Sequence, residues 1–94
     1  MIIWAPRAVR DLQEAQDYIS ERNERAAERV TTAILAAGEG LIDFPRRGRR
    51  SRVYGRRELI VQTTPYFLVY RIARNGDVTI SRVMHMARDW PPRR

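Results

Sequence analysis

The chain carries a single imidazole, His85, and it closes a run of strand-forming residues, V-T-I-S-R-V-M-H-M over positions 78–86. Imidazole is the side chain whose ordinary titration falls near neutral pH, so a histidine at a strand end can serve as acid or base in a cell. Arg82 stands three residues earlier and would put a permanent cation nearby. Glu58 begins another strand-like run and would put a carboxylate across the sheet. His85, Arg82 and Glu58 are therefore the candidate catalytic set. The competing role for His85 is structural, a ring hydrogen-bonded beside the end of the chain. Arg82 draws notice for a second reason. Val78 and Ile80 share one strand face, yet Val83 and His85 continue the same set, so the alternation breaks at Ser81-Arg82, where a β-bulge would re-aim both side chains.

A different chemistry is written into residues 46–57, R-R-G-R-R-S-R-V-Y-G-R-R, seven of which are arginine. So dense a run repels itself, so it is expected to be a solvated loop. Each guanidinium can fork onto a phosphate, and charge gathered in one loop raises the local potential more than the same charge scattered over a surface. Arg49, Arg50, Arg52 and Arg57, with Arg82 and Arg88 further on, are the candidate contacts to a nucleic acid or other acidic target. Tyr54 is placed to stack a base or to anchor the loop. The alternative is a connector that only keeps the protein soluble.

The formal net charge is +7, and all 18 basic residues other than the histidine are arginine. An excess this large on a small domain implies an acidic partner. High-GC coding would account for arginine replacing lysine, though not for the excess. Without lysine there is no amine to act as a base or to form a Schiff base, and without cysteine there is no disulfide, thiolate chemistry or Cys-based metal site. No cofactor or metal is expected. The first residues, M-I-I-W-A-P, are too short and too soon followed by charge for a signal peptide or a membrane span, which points to the cytoplasm.

These residues must be positioned by one domain of 94 residues, long enough to bury a single core without staples. Ile2-Ile3-Trp4 suits a first strand, and Pro6 then sits where a helix can begin without its N–H. Ala8, Leu12, Ala15 and Ile19 form a narrow apolar stripe, with Arg7, Arg10, Asp11, Glu14 and Asp17 largely on the other face, predicting a helix over about 6–22. Asn23 is a plausible N-cap for a second helix over about 24–43, whose stripe is Ala27, Val30, Ile34, Ala37 and Leu41. The short break makes the pair an antiparallel hairpin. Gly38 and Gly40 weaken its last turn by about 1 kcal/mol each relative to Ala, and Phe44-Pro45 ends it.

After the arginine run come three strands, about 58–63, 66–73 and 78–86, the last two joined by Asn75-Gly76, a pair that tolerates positive φ in a tight hairpin turn. The whole is an α+β domain with the helix hairpin on one face of an antiparallel sheet ending in a three-stranded meander. Leu12, Ile19, Val30, Ile34 and Leu41 would face part of Val61, Leu68, Tyr70, Ile72, Ile80 and Val83. In the middle strand both alternating sets are apolar apart from Arg71, so the second face is expected to be covered by a partner or by the C-terminal tail. Trp90 is expected to clamp against Trp4.

Taken in order, Trp4-x-Pro6, Asp11-Leu12, Tyr18-Ile19, Ala26-Ala27-x-x-Val30, Leu41-x-x-Phe44-Pro45-x-x-Gly48, Arg57-Glu58-Leu59, Pro65-Tyr66, Val69-Tyr70-Arg71-Ile72, Val83-x-His85 and Ala87-Arg88-Asp89-Trp90-Pro91 closely resemble the RelE/ParE superfamily of bacterial type II toxins. The likeness covers essentially the whole chain. It implies a compact toxin encoded beside an antitoxin that wraps and silences it, here an acidic one. Leu12, Ile19, Tyr66, Phe67 and Arg71 are the candidate antitoxin-binding residues.

The superfamily divides by target. RelE-like members cut mRNA on the ribosome with the RNA's own 2′-OH as nucleophile, which needs a base, a cation and an acid; ParE-like members poison DNA gyrase. Lysines used in one RelE branch are absent here, the Tyr that follows the histidine in a related subgroup is replaced by Met86, and an arginine expected before the L-V-Y run is replaced by Phe67. The resemblance therefore implies a ParE-like toxin acting on gyrase, with a ribosome-dependent endoribonuclease as the alternative. A non-toxic nucleic-acid-binding module, or a degenerate toxin kept as an interaction protein, is the further reading; no recognition-helix charge pattern or RNP-like aromatic motif supports the former.

Overall fold

A computed structural model describes residues 1–87 of the chain. Strand β1 (Ile2–Trp4) leads into helix α1 (Pro6–Ser20) and helix α2 (Glu24–Glu39), which a 3₁₀ turn (Gly40–Ile42) extends. Four strands follow: β2 (Arg49–Arg50), β3 (Arg57–Ile60), β4 (Tyr66–Ile72) and β5 (Val78–His85). They form one five-stranded sheet in the order β1-β5-β4-β3-β2. Pro6 starts α1, and the Asn23 side chain caps α2 by accepting from the Ala26 N–H at 3.1 Å, as its position in the sequence suggests.

The helices lie on one face of the sheet. Ala8, Ala15, Ile34 and Leu41 meet Val61, Leu68, Tyr70, Val78, Ile80 and Val83 in one buried cluster, with Leu12, Ile19 and Val30 packed against it. Apolar burial of this kind contributes roughly 25 cal/mol per Å² and supplies most of what holds the layers together. On the other face Val69 and Met84 are also buried, Phe67 is half-buried and Arg71 is exposed. The expected tail cover and the Trp90 clamp concern residues 88–94, outside the described part. Trp4 packs on Gly38 of α2 and donates from its indole Nε1 to Glu39 at 2.9 Å.

Three expectations are corrected. The sheet is mixed, because β1 pairs parallel with β5. The chain start is tied to the start of β5, with the Val78 N–H donating to the Met1 carbonyl and the terminal ammonium held by Asp77 at 2.9 Å, so the two strands must run the same way. The arginine segment is not wholly a loop, since Arg49–Arg50 adds as an edge strand to β3. Its self-repulsion is offset by the Glu58 carboxylate, which accepts from Arg49 at 3.1 Å. Finally, only Gly76 of the Asn75-Gly76 pair has positive φ. The Gly76 N–H donates back to Ala73 and the Ala73 N–H donates to Asp77, so the turn is a three-residue connection with its left-handed residue last.

Tyr70 ties the arginine segment to the core. Its side chain is fully buried, and its hydroxyl donates to the Pro45 carbonyl at 2.7 Å and accepts from the Gly48 N–H at 2.9 Å. Burial pushes the phenol up from its ordinary value despite the Gly48 hydrogen bond and nearby Arg57, so it stays neutral. Tyr70→Phe strands both backbone groups and is expected to cost about 1–2 kcal/mol in urea unfolding, with residues 46–50 losing amide protection first.

Candidate functional site

Helix α1 brings Asp11 onto β5. Asp11 is 5% exposed, and its carboxylate accepts from Arg82 Nε at 2.7 Å, from the Val83 N–H at 3.0 Å and from Arg7 Nε at 3.1 Å. The register between β4 and β5 jumps from Val69↔Arg82 to Tyr70↔Ile80, leaving Ser81 as the extra residue. The broken alternation in the sequence thus corresponds to a bulge, and the bulge aims Arg82 at the helix. Burial raises the Asp11 pKa, but the hydrogen bonds from Arg82, Val83 and Arg7 outweigh it and hold the carboxyl below its ordinary value.

His85 on β5 pairs directly with Tyr66 on β4 and meets its ring edge to face, centroids 5.1 Å apart. Its Nδ1 accepts from the Ala87 N–H at 3.0 Å, which leaves the proton of the neutral ring on Nε2. Between this pair and α1 runs a cleft of about 610 Å³ lined by Asp11, Glu14, Ala15, Tyr18, Val83 and Ala87 as well. Glu58 is elsewhere. It pairs across β3 and β4 with Val69, on the sheet face opposite the Tyr66–His85 pair, and its carboxylate is taken up by Arg49 and by the Ser51 hydroxyl at 2.8 Å. One strand separates Glu58 from Arg82, roughly 10 Å between backbones. His85, Arg82 and Glu58 are therefore not brought to a common centre, and each already has a partner within the fold.

The arginines of residues 46–57 divide between the two sheet faces. Arg49 follows Glu58 to the outer face, whereas Arg50 pairs with Arg57 on the helix side. Arg57 donates to the Gly48 carbonyl at 2.7 Å and to the Arg46 carbonyl at 3.4 Å, so its guanidinium braces the hairpin. A depression of about 440 Å³ is lined there by Arg46, Arg50, Arg56, Arg57, Ser51 and Tyr54. Arg52 is exposed and lies outside that lining. Arg88 falls outside the described residues.

Of the expected antitoxin anchors, Leu12 and Ile19 pack against the core and Tyr66 is 7% exposed, so these three face inward. Phe67 and Arg71 lie on the other sheet face. The residue that sequence reading missed is Asp11, assigned to the polar face of α1. Ala8, Asp11, Leu12 and Ala15 are spaced i, i+3, i+4, i+7, so Asp11 stands on the buried stripe, and a carboxylate there signals a buried cation partner.

Residues 2–90 match the model of a family described as the ParE toxin of the type II toxin–antitoxin system parDE. A putative toxin, Y4kP, from Sinorhizobium fredii is 41% identical over 90 residues, which cover 96% of this chain and 92% of that one. A protein named toxin RelE2 from Caulobacter vibrioides is 37% identical over 87 residues, covering 93% and 96%. A chain of the chromosomal ParDE system of P. aeruginosa superposes with a TM-score of 0.79 over 89% of this chain and 92% of that one; at 23% identity it speaks for the fold. With the family match spanning nearly the whole chain, and two relatives alike from end to end, this protein belongs to the ParE toxin family of type II toxin–antitoxin systems.

Proposed function

We propose that this toxin arrests bacterial growth by acting on DNA gyrase in the cytoplasm, and that an acidic antitoxin encoded beside it holds it silent. Family membership supplies the toxin role and implies a cognate antitoxin. The choice of gyrase over mRNA rests on one observation: the acid–base residues that a 2′-OH attack would use are dispersed and engaged. Arg82 is bound to Asp11, Glu58 to Arg49 and Ser51, and His85 Nδ1 to the Ala87 amide. A positioned acid or base contributes about 10²–10⁴-fold only when it reaches the reacting atoms. For the antitoxin, the sheet face carrying Phe67, Ile60 and Arg71 offers mixed apolar and cationic anchors. The +7 charge would speed its arrival more than it prolongs its stay, since exposed ion pairs are worth about 0.2–1 kcal/mol each.

Induced expression should stop growth and co-expression of the neighbouring reading frame should restore it. Purified toxin should block supercoiling by gyrase, and His85→Ala should retain substantial toxicity. Ribosome-dependent mRNA cleavage that vanishes in His85→Ala would replace the gyrase reading with the ribonuclease one. Normal growth at verified soluble expression would leave a degenerate toxin retained as an interaction protein.

A further inference from the structure

The depression on the β2–β3 hairpin stands apart from the α1–β5 cleft, and it gathers four arginines, Arg46, Arg50, Arg56 and Arg57, around about 440 Å³. Among the described residues none of the four is paired with a carboxylate; the one acidic side chain in the hairpin, Glu58, points to the other face and is occupied by Arg49 and Ser51. The site is braced rather than loose. The Arg57 guanidinium is fixed on two carbonyls, Ser51 and Arg56 share a backbone hydrogen bond at 2.9 Å, and Tyr70 holds Gly48 from beneath. At its rim Tyr54 is 100% exposed, next to Gly55, whose φ of +78° carries the chain round the tip. A fully exposed aromatic ring beside four guanidinium groups matches the two requirements of a single-stranded nucleic-acid site: cations for the backbone and a face on which an unpaired base stacks. A duplex would offer phosphates but no free base face, and an acidic peptide would make no use of the ring.

We propose that this depression binds single-stranded nucleic acid, with Arg46, Arg50, Arg56 and Arg57 contacting phosphates and Tyr54 stacking a base. The site is separate from the choice of toxin target, because binding is measured without gyrase or ribosome. The test is fluorescence anisotropy of a labelled short oligothymidylate with the full-length toxin, over a series of salt concentrations. Binding should weaken with salt, and Arg50→Ser with Arg56→Ser should flatten the logarithmic slope by roughly 1.4, about 0.7 per lost phosphate contact. Tyr54→Ala should weaken binding roughly 10-fold and Tyr54→Phe should restore it, since only the ring face is needed. Tyr54 is fully exposed, so both variants should melt like the wild type. Equal affinity of wild type and Tyr54→Ala, equal affinity for a matched duplex, or equally good competition by polyglutamate or by thymidine monophosphate would each overturn the proposal. The first three outcomes would mark a generic basic surface, and the last a free-nucleotide pocket. None of them would touch the gyrase reading, which stands or falls on the supercoiling assay.

Discussion

Asp11→Asn is expected to destabilise the fold by about 3–5 kcal/mol, the usual cost of removing one partner from a buried ion pair. Asparagine fills the same space, so the loss is electrostatic. Arg82, whose side chain is 17% exposed, would keep its charge with no carboxylate to meet it, and the Val83 N–H would keep at best a weaker acceptor. For a domain of this size such a loss lowers the melting temperature by about 12 °C or more, readable by circular dichroism. Arg7, the second cation on this carboxylate, adds little to the loss, because its side chain is half exposed and its contribution is that of a surface pair. Removing both charges, as in Asp11→Leu with Arg82→Met, should recover much of the stability, because the stranded charge and not the missing pair is the main penalty. If Asp11→Asn melts within a few degrees of the wild type, the bulge is held by β-pairing alone.

The same carboxylate sets an acid limit. Its folded pKa lies below the ordinary value, so the unfolded chain takes up the proton first. The stabilisation from Asp11 is therefore fully present above about pH 4 and is lost as pH falls through the folded pKa. Asp77, whose pKa is lowered by hydrogen bonds from the N-terminal ammonium and Asn75, moves in the same direction. Urea midpoints measured from neutral pH down to about pH 2 should separate the two: the gap between wild type and Asp11→Asn narrows in acid, while the Asp77 contribution appears in both.

Periodicity made the helix hairpin, its Asn23 cap, the last three strands and the bulge at Ser81-Arg82 legible, because each rests on local geometry: spacing, a capping side chain, an interrupted alternation. What escaped depends on contacts between distant segments. The parallel β1–β5 pairing joins residues more than 70 apart and leaves no local mark. Strand β2 has the composition of a solvated loop and exists because Glu58 and the β3 edge compensate it. Asp11 was legible in its spacing and misread by its type. The candidate catalytic set is dispersed for a related reason: the sequence puts Glu58 on one strand of the meander and Arg82 and His85 on another, but the strand between them, the alternation and the bulge decide how far apart the side chains lie and which face each takes.

Gly38 and Gly40 make the same point about local reasoning, and they carry the last prediction. By propensity both glycines weaken the end of α2 equally, so replacing either with Ala should help by about 1 kcal/mol. The packing separates them. A Cβ on Gly38 would collide with the Trp4 indole, closing to 2.6 Å from Cη2, and would lie 2.7 Å from Ile80 Cδ1. The ring cannot swing away freely, since its Nε1 is held by Glu39 and its strand by β5. A Cβ on Gly40 meets nothing within 4 Å, and its φ of −65° suits any residue. Gly38→Ala should therefore prise α2 from β1 and β5 and cost about 2–3 kcal/mol net, at the upper part of the range for overpacking. Gly40→Ala should stabilise by about 0.4–1 kcal/mol by restricting the unfolded chain. Urea unfolding of the two variants, two residues apart in one turn, should thus move in opposite directions. Trp4→Leu should relieve part of the Gly38→Ala penalty in a double-mutant cycle, because the clash is with the ring and not with the helix backbone. Stabilisation by Gly38→Ala would mean that the indole does not lie against α2, and that β1 is held to the domain by its hydrogen bonds to β5.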